Sequence, residues 1–126
     1  MAIKLDPNNA SAYNVRGCAY LDLEQYKSAI TDSSMAIKLD PNNEEYYANR
    51  GLAYLRLSEY KSAITDASMA IKLDPNNALA YANRGLAYFC LDKIDLAKKD
   101  FEKFLSLVPE DDQTAVQIKK FLNSLE

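Results

Sequence analysis

Three arginines and three aspartates recur at fixed intervals in this chain, and they are its first candidates for chemistry. Arg16, Arg50 and Arg84 recur with a period of 34, and Asp32, Asp66 and Asp100 follow them, each at the i+16 place of its arginine. A guanidinium alone could hold a phosphate or a carboxylate ligand. A carboxylate repeated at the same distance explains both sets more simply as an ion pair inside each unit, because charged groups near a packed interface are generally paired. Asn49 and Asn83 share a second repeated place. A side-chain amide donates and accepts at once, which suits it to a polypeptide backbone.

Nucleophilic, acid–base and metal chemistry find no pattern. There is no histidine, no glycine-rich phosphate loop and no metal-ligand spacing, and Cys18 and Cys90 have no base in register with them. Two cysteines in a chain of this length do not make a disulfide framework, and no basic neighbour pattern lowers their pKa. The chain reads as a protein without catalytic activity, cofactor or metal.

The elements that position these residues follow from the same strict period. The four prolines (Pro7, Pro41, Pro75, Pro109) keep it, and so do the three glycines (Gly17, Gly51, Gly85). Units therefore run over 10–43, 44–77 and 78–111, with the tail of a truncated preceding repeat at 1–9 and a remainder at 112–126. The phrase MAIKLDPNN occurs at 1–9, 35–43 and 69–77, and the matching stretches 27–43 and 61–77 differ only at Ser33 and Ala67. Such near-identity fits recent duplication, a fragment of a longer array or a designed array.

Within the second unit, Tyr47, Gly51, Tyr54 and Leu55 recur at helical spacing. After a break at Leu57 and Ser58, so do Tyr60, Ala63, Ile64, Ala67, Ala70 and Ile71. The pattern predicts a hairpin of two helices. Ser58 and Asp92 are expected to cap second helices, and DPNN to stop each one while its last Asn caps the next. Gly17, Gly51 and Gly85 cost about 1 kcal/mol each inside a helix, so a close approach of Ala29, Ala63 and Ala97 across each hairpin is expected.

Composition sets wider bounds. The chain has 126 residues, 48% hydrophobic and 26% charged, enough for one domain with a buried core. A net charge of -3 gives no general attraction to nucleic acid or to an anionic membrane. Without a signal-like start or a long apolar run, the expectation is a soluble, cytoplasmic protein.

YNVRGCAY, YANRGLAY and YANRGLAY, together with Ala29, Ala63, Ala97, Ala36 and Ala70 and the DP closing two units, make the chain resemble the tetratricopeptide repeat family over nearly its whole length. Ser33 and Ala67 depart from the family, standing where an aromatic is usual and only Phe101 supplies one; Phe104 stands where a small residue is usual. The resemblance implies an all-α fold: a right-handed α-solenoid of three 34-residue helix-turn-helix repeats with a C-terminal capping helix. Gln113 to Leu125 is the expected cap, covering the third hairpin with Val116, Ile118, Phe121, Leu122 and Leu125. Lys119 stands there where a fourth unit would place its glycine.

The resemblance also implies a concave face lined by first helices, and with it a protein–protein interaction module that docks a peptide. On this chain the face includes Asn14, Cys18, Glu45, Asn49, Leu52, Arg56, Leu79, Asn83, Leu86 and Phe89, with Asn49 and Asn83 placed to hold peptide backbone. Family members that clasp acidic chaperone tails use lysine, asparagine and arginine at places where this chain has Asn14, Cys18, Asn49, Leu79 and Asn83. Only Asn49 matches, so no chaperone-tail clamp is expected. The alternative reading is a structural or designed scaffold with no cognate ligand. Another copy of the chain is a further expected partner, joined at an N-terminal edge around Ala12, Arg16 and Ala19.

Overall fold

The structure, a computed structural model, describes residues 6–125. The helical turn and a half expected at Met1 to Leu5 lies outside the described residues. Seven helices follow one another: α1 (Ala10–Asp22), α2 (Tyr26–Leu39), α3 (Glu44–Arg56), α4 (Tyr60–Leu73), α5 (Ala78–Cys90), α6 (Ile94–Leu107) and α7 (Gln113–Ser124). Among the described residues there is no strand.

The DPNN phrase does two local tasks. Its aspartate ends one helix and folds a turn: Asp40 Oδ1 accepts from Asn42 N–H at 3.3 Å, and Asp74 Oδ1 from Asn76 N–H at 3.0 Å. Its last asparagine opens the next helix, as expected. Asn9, Asn43 and Asn77 accept from Ala12, Glu45 and Ala80 N–H at 3.0–3.1 Å, each satisfying a backbone donor that has no partner within the helix. Asp112 repeats this for α7 through Ala115.

The turn inside each hairpin is built differently from the expectation. Ser58 and Asp92 do not cap the second helices; the N-cap residues are Gln25, Glu59 and Lys93, none with a side-chain cap bond. Glu24, Ser58 and Asp92 instead take left-handed backbone, with φ of 59°, 61° and 62°. There they terminate the first helix: Ser58 N–H donates to Leu55 carbonyl at 3.0 Å and Glu59 N–H to Tyr54 carbonyl at 2.9 Å.

Packing across each hairpin depends on the missing glycine side chain. A Cβ placed on Gly51 would lie 3.3 Å from Asp66 Cβ and 3.4 Å from the Ala63 carbonyl oxygen. On Gly17 the distances relax to 3.4 Å from Asp32 Cβ and 3.6 Å from the Ala29 carbonyl. In the third hairpin the nearest atoms to Gly85 belong to Phe101 rather than to the expected Ala97. The Phe101 ring is fully buried and fills the gap.

Ala48, Ala67, Ala70 and Ala80 pack with Tyr47 into a core of small residues, which draws the helices close, and Ala53 and Ala63 are fully buried as well. At the C-terminal end Phe101 and Phe104 join Tyr81 under α7, where Ala115 and Ile118 are buried and Phe121 and Leu122 partly so. Phe121 meets Phe89 edge-on at 4.8 Å and Phe101 at 5.8 Å between ring centroids. Val116, expected in this cap, is exposed, and Ala115 takes its place.

First helices touch one another, α1 with α3 and α3 with α5. Second helices stand further apart: among the described residues no Cα of α2 comes within 8 Å of α4, nor of α4 within 8 Å of α6. Closer spacing on one side bends the stack toward it, so α1, α3 and α5 line the inner face of an all-α helical solenoid.

Candidate functional site

The repeated arginines are built into the hairpins. In each unit Nε and Nη2 of the arginine donate to both carboxylate oxygens of its aspartate at 2.8 Å. Each guanidinium also lies between two tyrosine rings of its own helix, for instance 5.9 Å from Tyr47 and from Tyr54 at Arg50. Two of the three reach one helix further: Arg50 Nη1 donates to Ser34 Oγ and Arg84 Nη1 to Ser68 Oγ, both at 3.2 Å. Hydrogen bonding to the aspartate raises the pKa of each arginine, burial opposes this, and the aspartate's charge raises it further. These donors are occupied, which fits the ion-pair expectation and leaves little for a phosphate.

The inner face is the remaining candidate. Asn14, Asn49 and Asn83 are buried where first helices meet. Asn49 Nδ2 donates to Asn14 Oδ1 at 3.0 Å and approaches Cys18 Sγ at 3.4 Å. Asn83 Nδ2 donates to the Ala48 carbonyl at 3.4 Å. The amide hydrogens thus tie α1 to α3 and α3 to α5. Neither Asn49 Oδ1 nor Asn83 Oδ1 has an intramolecular donor among the described residues, and no buried side-chain polar atom is left unpaired there. Both oxygens therefore keep some access to solvent and remain able to accept.

Around these amides the face is apolar. Leu79 and Leu86 on α5 are each 43% exposed, Leu52 on α3 is half-buried, and Cys18 is half-buried beside Asn49. Phe89 lies at the far end, its ring engaged by Phe121. Glu45 and Arg56 are exposed at opposite ends of α3, and Arg56 makes no ion pair among the described residues. Burial pushes the Cys18 thiol above its ordinary range, and the carboxylates of Glu45 and Asp22 push it further.

Val15 was not among the expected site residues, yet at 64% exposure it is the most open large apolar side chain of α1. Its signal was available in the period, since it holds in the first unit the place that Asn49 and Asn83 hold in the next two.

The Tetratricopeptide repeat family profile matches residues 54–123, a TPR repeat profile matches 17–58, and a further Tetratricopeptide repeat profile matches 1–31. No curated protein matched the sequence. Among solved structures, the TPR domain of Arabidopsis OM64 is 32% identical, with 93% of this chain and 96% of that one covered and a TM-score of 0.86. The first TPR of Spaghetti (RPAP3), bound to the HSP90 peptide SRMEEVD, is 31% identical, with 98% of both chains covered and a TM-score of 0.84. The second TPR domain of human RPAP3, in complex with the HSP70 peptide SGPTIEEVD, is 33% identical, with 89% and 97% covered and a TM-score of 0.77. The expectation that acidic chaperone tails are poor partners runs against these structures and is withdrawn. It rested on cations missing at particular register places, whereas domains of this shape and identity hold such peptides. With a family profile matched over more than half of its length and the hairpin stack carrying the same signature residues, this chain belongs to the tetratricopeptide repeat family.

Proposed function

We propose that this protein is an interaction module whose inner face, lined by α1, α3 and α5, binds an extended peptide segment of a partner protein. The observation that carries the reading is the set of solvent-facing apolar side chains on the first helices, Leu79 and Leu86 on α5 and Val15 on α1, together with the acceptor oxygens of Asn49 and Asn83. Apolar side chains of a peptide would cover these residues, and its backbone N–H groups would reach the two oxygens. Glu45 and Arg56 would select charge at the two ends of α3, with Arg56 available to a carboxylate of an acidic peptide. The similar domains that hold SRMEEVD and SGPTIEEVD support a peptide as ligand and bring acidic chaperone tails among the candidates. The reading assigns no catalytic role.

Calorimetric titration with a peptide panel that includes SRMEEVD and SGPTIEEVD tests it. Leu86→Glu and Val15→Glu are the variants to compare, because both side chains are exposed and their replacement leaves the core intact. Saturable binding weakened at least tenfold in either variant, at unchanged helicity, is the expected result. Failure of the whole panel, or binding indifferent to both substitutions, would overturn the assignment of this face and favour a scaffold without ligand.

A further inference from the structure

The register of the inner face continues onto α7. Gln113, Gln117 and Lys120 stand 34 residues after Leu79, Asn83 and Leu86. Yet the junction they form differs from the earlier ones: α3 approaches both α1 and α5, whereas among the described residues no Cα of α7 comes within 8 Å of α5. Two aromatic rings at small places account for this. Phe104 replaces Ala36 and Ala70, and Phe121 replaces Ala53 and Ala87, all four alanines being fully buried. Phe121 meets the rings of Phe89 and Phe101 edge-on, so α7 is held away from α5 by the thickness of the rings.

The amide link stops at the same junction. Gln117 occupies the place of Asn49 and Asn83, but its side chain is exposed and makes no hydrogen bond among the described residues. Leu86 is 43% exposed there, while its register mate Leu52, at the closer junction of α3 with α5, is half-buried.

Charge is distributed unevenly along the face. Its carboxylates, Asp22 and Glu45, stand on α1 and α3. Helices α5 and α7 carry none, only Arg84, Lys119 and Lys120. Arg84 is held by Asp100, and Lys119 lies beside Lys98 and Glu102 of α6. Lys120 stands about 100° further round the helix. It holds there the place that Leu86 holds on α5, is exposed, and has no ion pair among the described residues.

We infer that the wide junction between α5 and α7 sets the specificity of the inner face, with Lys120 as its determining residue. Leu79 and Leu86 take an aliphatic side chain of the partner peptide, and the Lys120 ammonium takes the carboxylates next to it. The acidic end of the peptide then lies over α7, away from Asp22 and Glu45. This rests on the peptide-binding reading above and narrows its ligand to an acidic segment with an aliphatic residue among its carboxylates, a composition that SRMEEVD and SGPTIEEVD share.

Calorimetric titration of the full chain with both peptides, and with SRMQQVN carrying a C-terminal amide as a carboxylate-free counterpart, tests it. Lys120→Glu is compared with Lys119→Glu, which changes the net charge equally but lies against α6, and with Leu86→Glu, which reports on the inner face as a whole. Binding of SRMEEVD should weaken roughly fivefold or more in Lys120→Glu, where repulsion replaces attraction, and less than about twofold in Lys119→Glu. Lys120→Gln should fall between, and Lys120→Arg should bind as the unsubstituted chain does. The carboxylate-free peptide should bind the unsubstituted chain and Lys120→Glu within about twofold of each other, since the ammonium then has no anion to hold. Binding lost in Leu86→Glu yet indifferent to Lys120→Glu, or weakened equally by both lysine reversals, would overturn this inference and leave the inner-face reading standing. So would failure of both acidic peptides while another peptide of the panel binds and responds to Leu86→Glu. Failure of the whole panel would overturn both.

Discussion

Gly85 lies directly beneath the ring of Phe101: a Cβ at Gly85 would come within 2.7 Å of Cε1 and 2.8 Å of Cδ1. The corresponding place on Gly17 is bounded by atoms no nearer than 3.4 Å, an ordinary contact. The two glycines therefore respond in opposite directions to one substitution. Gly85→Ala should destabilise by about 1–3 kcal/mol through overpacking, whereas Gly17→Ala should gain up to about 1 kcal/mol from helix propensity. Thermal unfolding of both variants checks the sign, and equal shifts would contradict the packing described.

Arg50 and Asp66 should behave as one unit. A double-mutant cycle to alanine is expected to show coupling of about 0.5–3 kcal/mol, placed within that range by the partial exposure of Arg50. The arginine pKa is raised, so the stability it contributes is fully present throughout neutral pH and is lost only in strong alkali. Additive single-site effects in urea unfolding would show that the two charges are independent.

Ser58 holds left-handed backbone without being a glycine. Relieving the contact of Cβ with the carbonyl should make Ser58→Gly more stable by up to about 1 kcal/mol. The urea midpoint should rise with an unchanged slope; a fall would mean that the lost chain entropy outweighs the relief.

Cys90 is exposed and Cys18 half-buried, so iodoacetamide should label Cys90 first at neutral pH. The raised Cys18 pKa means that the folded state keeps its thiol proton longer than the unfolded chain does. Stability is thus full below the ordinary thiol pKa and falls as pH rises from there toward the folded value. Mass spectrometry of the alkylated chain gives the order, and prior labelling of Cys18 would refute this assignment.

Much of the fold was legible because each signal repeats in register. One Arg–Asp pair at i and i+16 is weak, but three at the same place force a shared geometry, and the asparagine caps were readable for the same reason. The hairpin turns were not, because Glu24, Ser58 and Asp92 have no residue type in common and none is the glycine that usually marks left-handed backbone. Ser58 and Asp92 look like helix caps when only their identity is considered. On the inner face the sequence placed Asn49 and Asn83 but not their bonds. Asn14 to Asn49 is a contact between neighbouring units, set by how closely two helices approach, and it engages the Asn49 amide hydrogens while Asn49 Oδ1 stays free to accept. Phe101 was noted as a departure among the units, while its position over Gly85 depended on a ring orientation that no spacing encodes.

Among the described residues no Cα of α2 comes within 8 Å of α4, nor of α4 within 8 Å of α6, and this spacing has a mechanical consequence. Neighbouring units are joined by amide links between first helices and by each second helix resting on the next first helix, as Ser34 does on Arg50 and Ser68 on Arg84. The stack resembles a leaf spring whose leaves are held along their inner edges and middle, with its give between the second helices. A ligand spanning α1, α3 and α5 would load the joints between first helices, so its length would set the curvature of the array.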